Sequence, residues 1–96
     1  MNFSFHESAE NEFLIAIEYY ESQQPGLGLQ FSREIYASIT RICEHPLAWE
    51  ALDNELRRCI TGRFPYGLIY RIVGDSIQIM AVMHLSREPG YFGSRE

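Results

Sequence analysis

The side chains best suited to chemistry in this sequence are arginines, because all eight basic residues are arginine and none is lysine. Arg63 opens the stretch RFPYGLIYRI and Arg71 is its second-last residue, while Arg58 precedes the stretch and Arg87 follows further along the chain. A guanidinium presents a fixed fork of donors that suits carboxylates and phosphates. The composition therefore favours binding of anionic groups and excludes lysine chemistry such as Schiff-base formation.

The histidines and cysteines give weaker indications of chemistry. His84 could serve as a general base because its ordinary pKa lies near neutrality. No acidic or nucleophilic companion is evident beside it, so a packing and hydrogen-bonding role is favoured. Cys43 and Cys59 have neither a CxxC spacing nor a ligand-spaced histidine, which favours buried thiols over a disulfide or a metal site. We predict no metal and no cofactor.

Length and charge limit the possible functions. With 96 residues and 46% hydrophobic content, the chain is predicted to form one domain over residues 1–96. A net charge of −5 argues against direct nucleic-acid binding and against a membrane-surface protein. No signal peptide and no long apolar run is present, so a cytoplasmic location is expected.

The first half of the chain has the pattern of a short strand followed by two helices. Alternation over residues 3–5 predicts a strand, and helical spacing begins at Ser8, a candidate N-cap, and runs to Gln24. The sequence PGLG at residues 25–28 breaks this helix, and a second periodic run ends at His45 and Pro46. We therefore predict a tight helix hairpin. Residues 45–55 show no clear period and are predicted to be a loop.

The second half has period-two spacing, which predicts three strands over residues 56–63, 66–73 and 76–84. Gly74 and Asp75 form a two-residue hairpin loop between the last two strands. The predicted fold class is therefore α+β with the order β-α-α-β-β-β. The helix hairpin, over residues 8–44, is expected to pack on one face of a mainly antiparallel sheet into which the first strand pairs.

The hairpin loop also sets a register, which assigns side chains to the two faces of the sheet. It predicts the pairs Val73 with Ser76, Arg71 with Gln78, Ile69 with Met80, and Gly67 with Val82. The face predicted to meet the helices carries Leu68, Tyr70, Ile72, Ile77, Ile79, Ala81 and Met83. The face predicted to remain open carries Gly67, Ile69, Arg71, Val73, Gln78, Met80, Val82 and His84.

An open, half-apolar sheet face is typical of a surface that binds a partner. The alternative is that arginines on exposed strands serve solubility and block edge pairing. Either Arg57 or Arg58 could point to the open side. The predicted partner-binding residues are Arg58, Arg63, Arg71, His84, Arg87, Ile69, Met80 and Val82.

The order of motifs resembles the RelE/ParE superfamily of toxin-antitoxin toxins, in its ParE-like, plasmid-stabilisation form. The matching segments are YYE, PGLG, RR, RFPYGLIYRI and DSIQIMAVMH, and the resemblance covers residues 3 to 91. It implies a toxin that is neutralised by a cognate antitoxin, with a dimer or a hetero-oligomer possible. Of Tyr19 and Tyr20, one is expected to cap the core and the other to line a groove for the antitoxin.

One functional class within the superfamily, the RelE-like toxins, cuts messenger RNA on the ribosome. In-line attack by a 2′-hydroxyl needs groups that activate that oxygen, balance the phosphate charge and protonate the leaving oxygen. Where such relatives place basic side chains, this sequence has Gly67 after the elbow tyrosine, Ile60 on the preceding strand and Leu85 after the last strand. Arg58 alone matches a basic position on the preceding strand.

We therefore favour the ParE-like class, whose non-enzymatic members resemble inhibitors of DNA gyrase. The alternative is a RelE-like endoribonuclease, for which Arg58, Arg87 and Tyr91 would be the catalytic residues. A third reading is an inactive, toxin-like binding module that serves only as a partner for its antitoxin.

Overall fold

The computed structural model describes all 96 residues, which form two helices and five strands. In chain order the elements are β1 (Asn2–Phe5), α1 (Glu7–Gln23), α2 (Leu27–Glu44), β2 (Glu50–Ala51), β3 (Leu56–Ile60), β4 (Tyr66–Val73) and β5 (Ser76–His84). The strands form one sheet in the order β1-β5-β4-β3-β2. β1 runs parallel to β5, and the other pairs are antiparallel. The predicted α+β fold is confirmed, and β2 is an addition within the segment predicted to be a loop.

The helix hairpin forms where the sequence predicts it, with a different cap. His6 rather than Ser8 is the N-cap of α1, and its Nδ1 accepts a hydrogen bond from the Ser8 N–H at 3.1 Å. Gly26 is the N-cap of α2 and has a φ of 88°, in the left-handed region that favours glycine. The Glu21 carboxylate accepts from the N–H groups of Gly26 and Gly28, each at 3.0 Å. One side chain of α1 therefore caps α2. Neither helix is both long and apolar enough to span a membrane.

The helices bury their apolar stripes against one face of the sheet. Because apolar residues recur every three or four positions, each helix presents one continuous stripe to the strands. Tyr20 packs on Phe31, Phe64 and Tyr66 at ring-centroid distances of 5.0, 4.9 and 6.2 Å, so it caps the core as one of the two tyrosines was predicted to do. The helix-side core contains Ala9, Phe13, Ala16, Phe31, Ile35, Ile39, Ile42, Cys59, Phe64, Leu68, Tyr70, Ile77, Ile79 and Val82.

The hairpin of β4 and β5 follows the predicted register only near its turn. Gly74 takes a φ of 64° in the turn, and Arg71 lies opposite Gln78 as predicted. Further on, Ile69 lies opposite Ala81, because a β-bulge shifts the pairing by one residue. The predicted pairs that the shift breaks are Ile69 with Met80 and Gly67 with Val82.

The bulge also exchanges the two faces of β5 over its last residues. Val82, predicted to lie on the open face, is buried with the helix-side core. Ala81 and Met83, predicted to meet the helices, pack on the opposite face. His84, also predicted for the open face, packs on the helix side against Tyr66. The assignment of these four residues is therefore wrong, since one extra residue in a strand reverses the direction of all later side chains.

The second face of the sheet is covered over its centre, contrary to the prediction that it remains open. The residues after β5, 85–96, which we call the C-terminal tail, fold back over this face. Phe92 of the tail is 7% exposed and packs with Ile69, Met80, Ala81 and Met83. Ile69, Met80 and Val82 were predicted to bind a partner on an open face, but all three are buried, by the tail or by the helices.

Candidate functional site

The positions where the RelE-like class would carry charge lie together on the tail side of the sheet. Ile60 pairs with Gly67, and a Cβ built at Gly67 would lie 3.5 Å from the Leu85 Cδ2 and 3.7 Å from the Arg58 Cγ. Ile60 is 52% exposed and Leu85 is 41% exposed. Arg58 donates from its Nε to the Glu50 Oε1 at 3.1 Å. This region therefore holds one cation, already paired, among apolar side chains.

The orientation of Arg57 and Arg58 follows from the strand register. Arg57 donates to the carbonyl oxygens of Leu47 and Trp49 at 3.2 and 2.7 Å, so it anchors the loop between α2 and β2. Arg58 points to the opposite face, where it pairs with Ile69 across the strands. Of the two, Arg58 therefore lies on the tail side of the sheet.

Arg63 and Arg71 lie at opposite ends of β4 and have separate partners. The Arg63 guanidinium lies 5.2 Å from the centroid of the Phe64 ring. Arg71 donates to the Gln78 side-chain oxygen at 2.8 Å and to a Glu55 carboxylate oxygen at 3.0 Å. The structure does not bring these two predicted binding residues into one site.

Glu12 of α1 is the centre of the largest polar cluster in the chain. Its carboxylate accepts hydrogen bonds from both terminal nitrogens of Arg95, each at 2.9 Å. It also accepts one from the Tyr91 hydroxyl at 2.7 Å and one from the Val82 N–H at 3.0 Å. Arg87 approaches it at 3.3 Å. We call these five residues the Glu12 cluster. It joins the first helix, the last strand and the C-terminal tail.

The Glu12 cluster completes the edge of β5 where a neighbouring strand is missing. β1 pairs with β5 only as far as Phe5 opposite Ile79, so β5 has a free edge from Met80 onward. Arg95 donates to the Met80 carbonyl at 2.8 Å, and Glu12 accepts from the Val82 N–H. The side chains of Arg95 and Glu12 thus form hydrogen bonds with backbone groups of β5 that would otherwise pair with a neighbouring strand.

The surroundings of Glu12 fix the protonation of the cluster. Burial raises the pKa of Glu12, but hydrogen bonds from Arg95, Tyr91 and the Val82 N–H outweigh burial and hold it below the ordinary value of 4.5. Burial and the bond to Glu12 raise the pKa of Tyr91. At neutral pH the cluster therefore holds a carboxylate beside a protonated phenol.

A groove of about 480 Å³ adjoins the cluster, between α1 and the free edge of β5. Ile15 and Tyr19 line it from α1 and are 67% and 57% exposed. The His84 ring packs against the ring of Tyr66 with centroids 5.3 Å apart, and its Nδ1 accepts the Ser86 N–H at 3.0 Å. His84 therefore has the packing and hydrogen-bonding contacts that the sequence favoured.

A family model for the ParE toxin of type II toxin-antitoxin systems, parDE, matches residues 3–89. The chain belongs to the ParE toxin family. A solved structure described as the chromosomal ParDE TA system from P. aeruginosa has a TM-score of 0.77 at 17% identity. The match covers 90% of this chain and 97% of that one, and at this identity it shows the shared fold. No curated protein matches the sequence significantly.

Membership of the ParE family confirms the predicted resemblance and the assignment as a type II toxin. The binding roles of Arg58, Arg63, Arg71, His84 and Arg87 remain predictions.

Two residues of the Glu12 cluster were not predicted. Glu12 lies within the buried stripe of α1 with Ala9, Phe13 and Ala16. A carboxylate at that spacing must be paired when buried, so its position was a signal of a polar contact. Arg95 gave no such signal, because nothing in the last residues of the chain indicates which acidic group they meet.

Proposed function

We propose that this ParE-family toxin acts by binding a protein target, DNA gyrase, rather than by cleaving RNA. The observation that carries the proposal is the region around Gly67. In-line cleavage needs several groups that stabilise charge on the phosphate and the leaving oxygen. Ile60, Gly67 and Leu85 supply none, and Arg58 is paired with Glu50.

The residues that the ribonuclease alternative would use are also poorly placed for catalysis. Arg58 lines a cavity beneath the tail, whereas Arg87 lines the groove beside α1. Tyr91 donates its hydroxyl to Glu12 and remains protonated at neutral pH, so it is unsuited to accept a proton from an attacking hydroxyl. These contacts favour structural and binding roles for the three side chains.

The choice of gyrase follows the likeness to the gyrase-inhibiting class of the superfamily. A net charge of −5 disfavours docking on ribosomal RNA, because binding to a polyanion depends on clustered positive charge. We also propose that a cognate antitoxin neutralises the toxin, in keeping with the description of the P. aeruginosa structure as a ParDE system. Both partners would be met in the cytoplasm.

Two assays with the purified chain test the target. We expect it to slow supercoiling by gyrase, or to increase cleaved gyrase–DNA complexes, and to leave a message intact on translating ribosomes. Adding the purified product of the adjacent reading frame should reverse the effect on gyrase. Messages cut at defined codon positions would contradict the proposal.

Arg58→Ala and Arg71→Ala provide a matched pair for the same assays. Both arginines lie on the tail side of the sheet and pair with an exposed glutamate. If the chain were a ribonuclease, Arg58→Ala should abolish cleavage of the message and Arg71→Ala should not. The proposal instead expects no cleavage from the unmodified chain or from either variant.

A further inference from the structure

The outer edge of β1 presents backbone groups that are unpaired in the sheet. β1 is an end strand of the sheet and pairs on one side only, with β5. The His6 N–H donates to the Ile79 carbonyl at 2.8 Å, so it points toward β5. Because this direction alternates along a strand, the backbone groups of Ser4 also point toward β5, whereas those of Phe3 and Phe5 point outward. No turn or loop of the chain bonds the outward groups.

The other edges of the sheet carry features that discourage strand pairing, and β1 carries none of them. β2, at the opposite edge, has two residues, and one of them is the charged Glu50. Short and charged edge strands disfavour pairing with another chain. Beyond Ile79 the edge of β5 is partly closed, because Arg95 and Glu12 bond its backbone. β1 has four residues (NFSF) with neither a charge nor a proline, so its edge is open to an added strand.

An exposed apolar patch adjoins this edge on the helix side of the sheet. Met1 and Phe3 are exposed, and the ring of the exposed Tyr36 of α2 lies with its centroid 6.4 Å from that of Phe3. Met1 and Phe3 also line a cavity of about 320 Å³ together with Ile39 and Cys43 of α2. A strand added at β1 would therefore form backbone hydrogen bonds and cover apolar surface at the same time.

The sequence of β1 is complementary to itself in the antiparallel direction. Residues 3–5 (FSF) read the same both ways, with Ser4 at the centre. A twofold axis at Ser4 would place Phe3 of one copy opposite Phe5 of the other, and each such pair would exchange two backbone hydrogen bonds. Phe3 packs toward Tyr36 and Phe5 toward Phe13, so both rings lie on the helix side and would meet across the pair. The strand has no charge, so pairing here brings no like charges of the two acidic copies directly opposite each other.

From these observations we infer that the outer edge of β1 binds β1 of a second copy of this chain, so that two sheets continue as one across a twofold axis. The arrangement uses the open edge of each copy and leaves no further β1 edge, so it closes as a dimer. The contact is limited to one short strand and the patch beside it, and a stable dimer buries about 800 Å² per partner. We therefore expect a weak dimer, with a Kd of about 10 to 100 µM. Pairing through β1 requires neither gyrase nor an antitoxin, so the purified chain alone is sufficient to measure it.

Sedimentation equilibrium of the purified chain, between about 1 µM and 1 mM, measures self-association in the absence of any other protein. Phe3→Lys places a charge on each copy at the paired edge. Ile60→Lys is the matched control, because Ile60 is an exposed apolar residue of β3, which does not pair with β1. We expect Phe3→Lys to weaken dimerisation about tenfold or more and Ile60→Lys to change it by less than about threefold. Circular dichroism and thermal unfolding check that both variants fold.

Hydrogen exchange gives a second measurement that does not depend on substitution. Raising the concentration of the unmodified chain should slow exchange of the Phe3 and Phe5 amides by about fivefold or more, because both N–H groups gain an acceptor. The Ser4 amide already points toward β5, so its exchange should change much less. This result supports the dimer even if Phe3→Lys does not fold.

Three outcomes would overturn the inference. The chain could remain a monomer up to about 1 mM, well above the expected Kd. A dimer that Phe3→Lys leaves intact, with unchanged exchange at Phe3 and Phe5, would show that the copies meet at another surface. If those amides are protected only when the purified product of the adjacent reading frame is added, the occupant of the β1 edge is that protein and not a second copy.

Discussion

The two faces of the sheet are covered by different kinds of chain. On one face, α1 and α2 bury a cluster of 14 residues, to which the helices contribute apolar side chains at regular helical spacing. On the other, a tail without helix or strand buries a cluster of five, to which it contributes Phe92. The helices are positioned by many similar apolar contacts, whereas the tail depends on one aromatic side chain and the bonds of Glu12. The tail makes fewer buried contacts than the helices, so we expect it to detach from the sheet at a lower free energy of local unfolding.

The largest expected effect comes from truncating the helix-side core. Phe31 is fully buried and packs against Phe13, Phe64 and Tyr66. We expect Phe31→Ala to lower the free energy of unfolding by about 3 to 5 kcal/mol, because it removes a ring and leaves a cavity. Leu29→Ala, on an exposed position of the same helix, should change it by less than about 0.5 kcal/mol. Urea denaturation measures both, and equal losses would contradict the assigned burial.

Removing the charge of Glu12 should have a smaller effect that is concentrated in the tail. Its carboxylate is 13% exposed and holds Arg95 through two bonds. We expect Glu12→Gln to lower the free energy of unfolding by about 1.5 to 3 kcal/mol. Hydrogen exchange and proteolysis should increase over residues 85–96, with little change in α2. Glu10→Gln, at an exposed position of the same helix, is the control. A tail that stays protected in Glu12→Gln would show that contacts other than those of the Glu12 carboxylate, such as the packing of Phe92, hold it.

The contrast between the faces also separates what could be predicted from the sequence. The helix hairpin follows from apolar spacing and the PGLG break, and the β4–β5 turn follows from Gly74 and Asp75. The bulge at Met80 could not be predicted, because residues 79–83 (IMAVM) are all apolar and a shift by one residue leaves their pattern unchanged. A strand with no polar alternation gives no indication of which side chains face the helices.

The candidate site was predicted unevenly for a related reason. Arg87 and His84 were identified as binding residues, and both line the groove. Ile69 and Met80 were assigned to an open face because the tail has no periodic pattern that indicates where it packs. The tail is positioned by pairing between residues far apart in sequence, such as Glu12 and Arg95. Composition and spacing do not reveal which of eight arginines meets a given carboxylate.

Acid should weaken the attachment of the tail before it affects the helix-side core. The folded chain holds the pKa of Glu12 below its ordinary value of 4.5, so the folded state binds this proton less tightly than the unfolded state. The contribution of the carboxylate is therefore fully present above about pH 4.5 and is lost as the pH falls through the lower folded value. The stability difference between the unmodified chain and Glu12→Gln should be constant between about pH 7 and pH 5 and should shrink in more acidic buffer. Urea denaturation across this range measures it, and a difference that grows on acidification would contradict the assignment.

The smallest expected effect is that of Arg71, which lies on the tail side of the sheet near the β4–β5 turn. Its partner Glu55 is 65% exposed, so water and salt screen the ion pair, and its bond to Gln78 can be replaced by water. We expect Arg71→Ala to lower the free energy of unfolding by about 0.5 kcal/mol, with most of the loss disappearing at about 1 M salt. The Glu12 pair, at 13% exposure, should retain most of its contribution under the same conditions. Urea denaturation of Arg71→Ala and Glu12→Gln at low and high salt therefore compares an exposed ion pair with a shielded one. A loss for Arg71→Ala as large and as salt-resistant as that of Glu12→Gln would mean that Arg71 also helps to hold the tail.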